Sequence, residues 1–178
     1  MPLLPILEAP HPVLSKKARR VRDDELGPAL QRLLDDMTET MYAAPGVGLA
    51  APQVGDSRRV VVIDPGFEGE EGEVNKGREL VQMVNPEIVE RSAELIRWEE
   101  SCLSVPEYAQ EVDRAHTIKV RWTDAAGAAQ ERVYEGFPSV VVQHELDHLE
   151  GITLLERSSP LKRGRYVTKK KKRAAKAG

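Results

Sequence analysis

The sequence predicts an α+β fold: antiparallel β-sheets packed around a central helix carrying His-Glu-x-x-His, with an N-terminal helix before them and a basic C-terminal segment behind. Three observations predict it. Leucines and methionines recur at helical spacing over residues 26–41. Short β-rich runs separated by turn residues fill residues 59–134. An apolar helical pattern then surrounds His144-Glu145-Leu146-Asp147-His148. The chain of 178 residues, with 40% apolar and 31% charged residues, matches one soluble globular domain. Residues 1–160 are read as that single domain and 161–178 as a basic tail, either helical or unordered.

The N-terminus, Met1-Pro2-Leu3-Leu4-Pro5-Ile6-Leu7, has no basic leader and is interrupted by prolines, so it does not read as a signal peptide. No apolar run is long enough to span a bilayer. The expectation is a cytoplasmic protein with no membrane partner.

Leu26, Leu30, Leu33, Leu34, Met37 and Met41 predict a helix from about Asp24 to Tyr42, with Asp23 or Asp24 as its N-cap. Ala44-Pro45-Gly46 ends it and opens a glycine-rich loop, Gly46 to Gly55. Strands are expected at Arg59 to Ile63, Leu80 to Val84, Glu87 to Glu90, Glu94 to Trp98, Thr117 to Trp122 and Glu131 to Tyr134. Asp64 to Gly77, rich in Gly and Glu, reads as an exposed insertion, and Asp124 to Gly127 as a hairpin turn. A helix from about Ser139 to Glu150 follows, with Gly151 as its C-terminal cap.

The chemistry starts on that last helix. Residues four apart lie one turn above each other, so the imidazoles of His144 and His148 can converge on one ion. Glu145 then sits beside the ion, free to act as a general base. Val140, Val141 and Val142 make the preceding turn too apolar for solvent, so His144 is expected to be buried and in need of a partner. Such a site takes a third protein ligand and keeps a fourth position open. The two remaining histidines, His11 in a proline-rich stretch and His116 at the start of a strand, read as structural. Cys102 is the only cysteine, so no intrachain disulfide forms, and its turn-like setting after Glu99 and Glu100 makes it the candidate third ligand.

Three segments then carry a family resemblance: Gly46-Val47-Gly48-Leu49-Ala50-Ala51-Pro52-Gln53, Glu100-Ser101-Cys102-Leu103-Ser104 and Gln143-His144-Glu145-Leu146-Asp147-His148. In order and spacing they resemble the three signature motifs of bacterial-type peptide deformylases, over about Ile6 to Leu155. The resemblance implies hydrolytic removal of the formyl group from formyl-methionine at the start of new polypeptides. It implies one divalent metal held by Cys102, His144 and His148, ferrous iron in the cell, with nickel, cobalt or zinc as substitutes. Glu145 matches the catalytic glutamate, and Gln53 with the backbone N–H of Leu103 matches the groups that meet the oxyanion. Gly48 matches the residue lying along the bound peptide. Val47, Trp98, Glu100, Phe137, Val140, Val141 and His144 match the surroundings of the methionine side chain. Two departures stand out: Ser101 replaces a common glycine, and Glu107-Tyr108-Ala109-Gln110 lacks the arginine that many bacterial members carry there.

Two rival readings differ in class. A small zinc endopeptidase shares the His-Glu-x-x-His helix but has no use for Cys102 or for the glycine-rich loop with Gln53. A metal-bearing RNA- or ribosome-binding module would draw on the tail, but a structural zinc site normally has four protein ligands, and this chain offers three. The tail itself is distinctive. Residues 161–178 carry nine basic residues and no acid, so the tail is +9 and the rest of the chain −12, within a net charge of −3. It suits a polyanion such as RNA and would dock a monomeric enzyme near the ribosomal exit tunnel; a solubilising end explains the composition equally well.

Overall fold

The computed structural model describes residues 3–67 and 79–177. Within them the chain forms α1 (Pro28–Ala43), then β1 (Gly48–Ala50), β2 (Val60–Ile63), β3 (Val81–Arg91), β4 (Leu95–Cys102), β5 (Val105–Ala115), β6 (Thr117–Thr123) and β7 (Ala129–Glu135). Two further helices follow, α2 (Phe137–Leu149) and α3 (Pro160–Ala177). A five-stranded antiparallel sheet runs in the order β1-β2-β3-β6-β7, and β4 and β5 form a separate antiparallel hairpin.

The four residues of β2 explain the layering. All are buried, but Val60 and Val62 pack with Leu30, Leu34, Met37 and Met41 of α1, whereas Val61 and Ile63 pack with Val141, Val142, Leu146 and Leu149 of α2. Alternation along a strand sends successive side chains to opposite faces. A strand apolar at every position is therefore covered on both sides, here by α1 and α2. Each fully buried Leu or Met contributes about 1.5–3 kcal/mol of transfer free energy.

Several boundaries differ from the sequence reading. The first helix begins at Pro28 rather than Asp24, and Asp23–Glu25 is a separate 3-10 turn. Gly27 precedes the helix with φ +128°, a conformation that favours glycine, and Pro28 occupies the first turn. Of the two acids expected to cap, Asp24 is tied to Arg22, and the neighbouring Glu25 to Arg19 and Arg58. The runs Leu80 to Val84 and Glu87 to Glu90 belong to one strand, β3, whose register shifts between Val84 and Glu87 around Asn85 (φ +50°) and Pro86. The glycine-rich stretch is not wholly loop, since Gly48–Ala50 pairs with β2 and Ala51–Val54 makes a 3-10 turn. β5 was not expected at all. Of the insertion at Asp64 to Gly77, residues 64–67 begin as a turn, with Phe67 N–H donating to Asp64 O at 3.1 Å; the rest lies outside the described residues.

Asp124 to Gly127 forms the expected hairpin turn, with Asp124 Oδ1 accepting from Ala126 and Ala128 N–H. His11 caps a 3-10 turn, its Nδ1 accepting from Val13 N–H at 3.2 Å, and His116 occupies the single residue between β5 and β6. The basic segment forms α3, which packs back on the body. Tyr166 stacks edge-on against Tyr108, and Lys162 Nζ donates to Ala109 O at 2.7 Å. Among the described residues no helix is long and apolar enough to cross a membrane.

Candidate active site and metal centre

α2 owes its position to two polar side chains. Ser139 Oγ donates to Ala115 O at 2.8 Å, and the buried Gln143 amide both donates to Ala115 O at 2.9 Å and accepts from Ala115 N–H at 3.1 Å. The end of β5 is thereby fastened to the middle of α2. The apolar face of α2 is pressed on the five-stranded sheet, and its other face looks toward the β4–β5 hairpin.

A cavity of about 340 Å³ opens between them. Gly46, Val47 and Gly48 form one wall with Gln53, β4 supplies Trp98, Glu100 and Cys102, the following turn supplies Leu103, and α2 supplies Phe137, Val140, Val141, His144 and Glu145. Every site residue expected from the sequence lines this cavity except His148, which lies behind it, 1% exposed. Trp98 and Phe137 make an aromatic pair with ring centroids 5.0 Å apart, and Trp98 remains partly exposed.

Cys102 Sγ and one nitrogen from each of His144 and His148 all lie within 4.8 Å of one another, and Cys102 Sγ is 3.4 Å from His148 Nε2. One sulfur and two imidazoles form a donor set suited to zinc or a divalent transition metal such as iron, cobalt or nickel. The surroundings fit such an ion. His148 Nδ1 and Glu145 Oε2 are buried without a hydrogen-bond partner among the described residues. Burial, added to by the charges of His144 and Arg114, lowers the His148 pKa well below the usual imidazole range, which keeps the ring neutral as a ligand must be. At His144 burial also opposes the charged form. Hydrogen bonding to Cys102 and Glu100, with the neighbouring charges of Cys102 and Glu145, outweighs it and raises the pKa well above the usual value.

Glu145 is buried and stands against Gly48, where a Cβ built on the glycine would lie 2.6 Å from Glu145 Oε1. Burial pushes its carboxyl up to about 7. Gln53, 1% exposed, has its amide fixed at both ends: Oε1 accepts from Ala50 N–H at 2.9 Å, while Nε2 donates to Ser104 Oγ at 3.0 Å and points at Cys102 Sγ, 3.7 Å away.

Glu100 lines the cavity, but its carboxylate is committed elsewhere. Oε1 lies 2.8 Å from His144 Nδ1, and both oxygens accept from Arg114 at 2.8 Å. Burial pushes the Glu100 carboxyl upward, and Arg114 and His144 more than offset it, holding the pKa below its ordinary value. Sequence reasoning missed Ser104, Arg114, Gln143 and Asp147. Gln143 and Asp147 stood inside a quoted motif without an assigned role, and Arg114 carried no signal that separates it from the other arginines.

A water-accessible cavity with a Cys/His/His cluster and a buried carboxylate at its wall defines a metal-dependent hydrolase. The chain belongs to the polypeptide deformylase family, whose model matches residues 3–164. It is 45% identical to the peptide deformylase of Phenylobacterium zucineum over 98% of both chains, and 46% identical to that of Zymomonas mobilis over 95% of this chain and 93% of that one. Among solved structures, the Ehrlichia chaffeensis peptide deformylase in complex with actinonin superposes with a TM-score of 0.86 at 36% identity, covering 97% of this chain and 98% of that one. A Met-Ala-Ser-bound class I type b peptide deformylase from Acinetobacter baumannii gives 0.80 at 39% identity, covering 88% and 99%. The chain is thus an enzyme of this family, with a candidate metal site at Cys102, His144 and His148.

Proposed function

We propose that this enzyme hydrolyses the formamide of formyl-methionyl nascent peptides in the cytoplasm, with Glu145 as the proton carrier. The observation that carries the reading is the convergence, in one cavity, of the Cys102–His144–His148 cluster, the buried Glu145 carboxylate and the Gln53 amide.

A divalent ion held by Cys102, His144 and His148 supplies Lewis acidity that makes water a usable nucleophile near neutral pH. Ferrous iron is the proposed cellular ion, with nickel, cobalt or zinc as substitutes. Glu145, buried at the cavity wall beside the cluster, takes a proton from the attacking water. Gln53 Nε2–H and Leu103 N–H meet the carbonyl oxygen of the formyl group as it gains negative charge. Each such donor is worth roughly 3 kcal/mol in the transition state. Glu145 then returns the proton to the amine nitrogen as the C–N bond breaks, leaving formate and a free N-terminal methionine. Val47, Trp98, Phe137, Val140 and Val141 offer an apolar lining for the methionine side chain, Gly48 offers backbone to the peptide, and Glu100 and His144 complete the lining. The complexes of the relatives with actinonin and with Met-Ala-Ser support a peptide-like occupant.

The test is formate release from a formyl-Met peptide by protein purified without oxygen and loaded with iron or nickel, set against Glu145→Ala. Release by the wild type alone supports the reading. No release by folded, metal-loaded wild type, with cleavage of internal peptide bonds instead, would replace it with the peptidase.

Residues 1–160 form the catalytic unit in this reading, and the tail docks the monomeric enzyme near the ribosomal exit tunnel. Lys162, Lys170 and Arg173 of α3 are engaged with the body, through Gln110, Glu8 and Glu107. Arg165, Lys169 and Lys172 are exposed and share one groove along the helix with Gly164 and Thr168. Reversing those three charges should abolish co-sedimentation with ribosomes, and unchanged co-sedimentation removes the docking proposal.

A further inference from the structure

Behind the catalytic cavity runs a chain of ion pairs that the chemistry above leaves without a role. Arg157, in the turn after α2, donates to both carboxylate oxygens of Asp147, at 3.0 and 2.7 Å. Asp147 Oδ2 also accepts from Arg114 Nη1 at 2.7 Å. Arg114 grips both oxygens of Glu100, and Glu100 Oε1 meets His144 Nδ1. One guanidinium on β5 thus ties β4 to α2, and the chain ends on a ring nitrogen of a candidate metal ligand.

Two features argue that this is more than glue between elements. The first is burial: Arg114 and Glu100 are each about 95% buried, where an ion pair adds little stability over apolar side chains of equal volume because desolvation offsets the attraction. The second is geometry. A carboxylate accepting from a planar guanidinium at two points has one orientation, which a lysine at position 114 could not impose. The outer members leave Arg157 partly exposed, so the chain has a solvent end and a metal end.

We propose that Arg114 is a positioning residue for His144: braced by Asp147 and Arg157, it holds the Glu100 carboxylate where it accepts the Nδ1–H of His144 and so presents Nε2 to the metal. Ligand imidazoles are commonly oriented in this way by a carboxylate on their second nitrogen, and losing that partner weakens metal affinity by about 10–100-fold. The proposal rests on His144 being a ligand, and adds that its ring orientation is set from the far side of α2.

The experiment uses the full-length, zinc-loaded protein labelled with ¹⁵N at histidine, and three variants: Arg114→Met, Arg114→Lys and Arg157→Met. Two quantities are read, the protonation of His144 Nδ1 from its one-bond coupling and the rate of zinc loss to an excess chelator. The wild type should show a protonated, slowly exchanging Nδ1. Arg114→Met should lose zinc at least about 10-fold faster and lose that slow exchange. Arg114→Lys should rescue little, and Arg157→Met should fall between. KM for a formyl-Met peptide, measured per bound metal, should stay within twofold. Should Arg114→Met not fold, Arg157→Met on the exposed end carries the test alone. Variants that melt at lower temperature but keep wild-type zinc loss and an unchanged Nδ1–H would overturn positioning and leave only a structural tie. A wild-type protein whose His144 signals ignore zinc would remove the ligand assignment beneath it. Formate release is scored separately: its absence refutes the proposed reaction without altering what the ring signals say about Arg114.

Discussion

Gly48 and Glu145 are in direct contact across the catalytic cavity, so close that a Cβ on the glycine would stand 2.6 Å from Glu145 Oε1 and 2.8 Å from its Cγ. Glycine is needed here for space. The carboxylate is buried against backbone on this side, and among the described residues its Oε2 has no hydrogen-bond partner to pull it elsewhere. Gly48→Ala must therefore push Glu145 off its position while leaving Cys102, His144 and His148 unchanged. We expect metal content near that of the wild type and kcat lower by about 10²-fold, the scale on which a displacement of around 1 Å at a reacting group acts. Metal analysis alongside formate-release kinetics checks it, and unchanged kcat would mean that Glu145 does not need its place beside Gly48.

Glu145 should also leave a signature in the stability of the metal-free protein. Its carboxyl titrates at about 7 in the fold against 4.5 ordinarily, because burial disfavours the charge. Between those values the folded state holds the proton more tightly than the unfolded chain. The stabilising contribution is therefore full below pH 4.5 and is lost as pH rises through about 7. The total is on the order of 3 kcal/mol. Urea titrations of the metal-free protein across this range should show wild type losing stability relative to Glu145→Gln as pH rises. Parallel curves would refute the raised pKa. A bound cation would lower that pKa, which is why the metal-free protein is the sample to use.

Gln143 sits one residue before the His-Glu-x-x-His run, yet its amide faces Ala115 at the end of β5 rather than the metal cluster. Replacing it with Leu leaves the N–H and C=O of Ala115 without their amide partner in a buried setting, where each orphaned group costs about 1–3 kcal/mol. Ser139 Oγ still reaches the carbonyl, so the expected loss is about 2–3 kcal/mol rather than the full sum. Chemical denaturation measures it. A loss below 0.5 kcal/mol, the ordinary scatter of surface changes, would mean that α2 is held to β5 by other contacts.

What the sequence disclosed and what it hid divide along physical lines. The ligand candidates were legible because a helix places residues four apart on one face, and because an uncommon residue, the single cysteine, stood in a turn-like segment. The layered sheet was legible in Val60–Ile63, apolar at every position. β5 was illegible because Gln110 and Arg114 share its inward face with Tyr108 and Val112, so the apolar alternation that marks a strand is broken by polar residues. The first helix was started too early because Asp23 and Asp24 resemble caps, while Asp24 pairs with its neighbour Arg22 and Glu25 with Arg58, distant in sequence. Glu100 was expected as a wall of the methionine pocket. It borders the cavity, but only the three-dimensional placement of Arg114 reveals that its charge is turned toward His144.

If iron is the cellular ion, the enzyme should be sensitive to air, since both a ferrous centre and a cysteine sulfur oxidise. Activity of the iron-loaded protein should decay faster in air than under argon, and nickel loading should slow that decay. Equal half-lives under both gases would count against iron.

Gln53 permits its proposed catalytic part to be separated from its structural one. Its Oε1 accepts from Ala50 N–H and so holds the 3-10 turn that follows β1, while its Nε2 serves Ser104 and faces Cys102 Sγ. Gln53→Ala would remove both functions together and confound lost activity with a loosened turn. Gln53→Glu keeps an oxygen for Ala50 and can accept from the Ser104 hydroxyl, but it replaces the donor aimed into the cavity with an acceptor. If that N–H meets the oxyanion, Gln53→Glu should lower kcat by at least about 10²-fold, the effect of removing one such donor, and the added negative charge beside the developing oxyanion should deepen the loss. KM should change far less, because the interaction strengthens only as charge develops on the oxygen. A carboxylate where Gln53 is 1% exposed costs stability of its own, so kcat is read at a temperature where circular dichroism shows the variant fully folded. An unchanged kcat in the folded variant would leave Gln53 to the turn, whereas a loss confined to KM would assign it to peptide binding; either result would leave Leu103 N–H as the remaining candidate donor for the oxyanion.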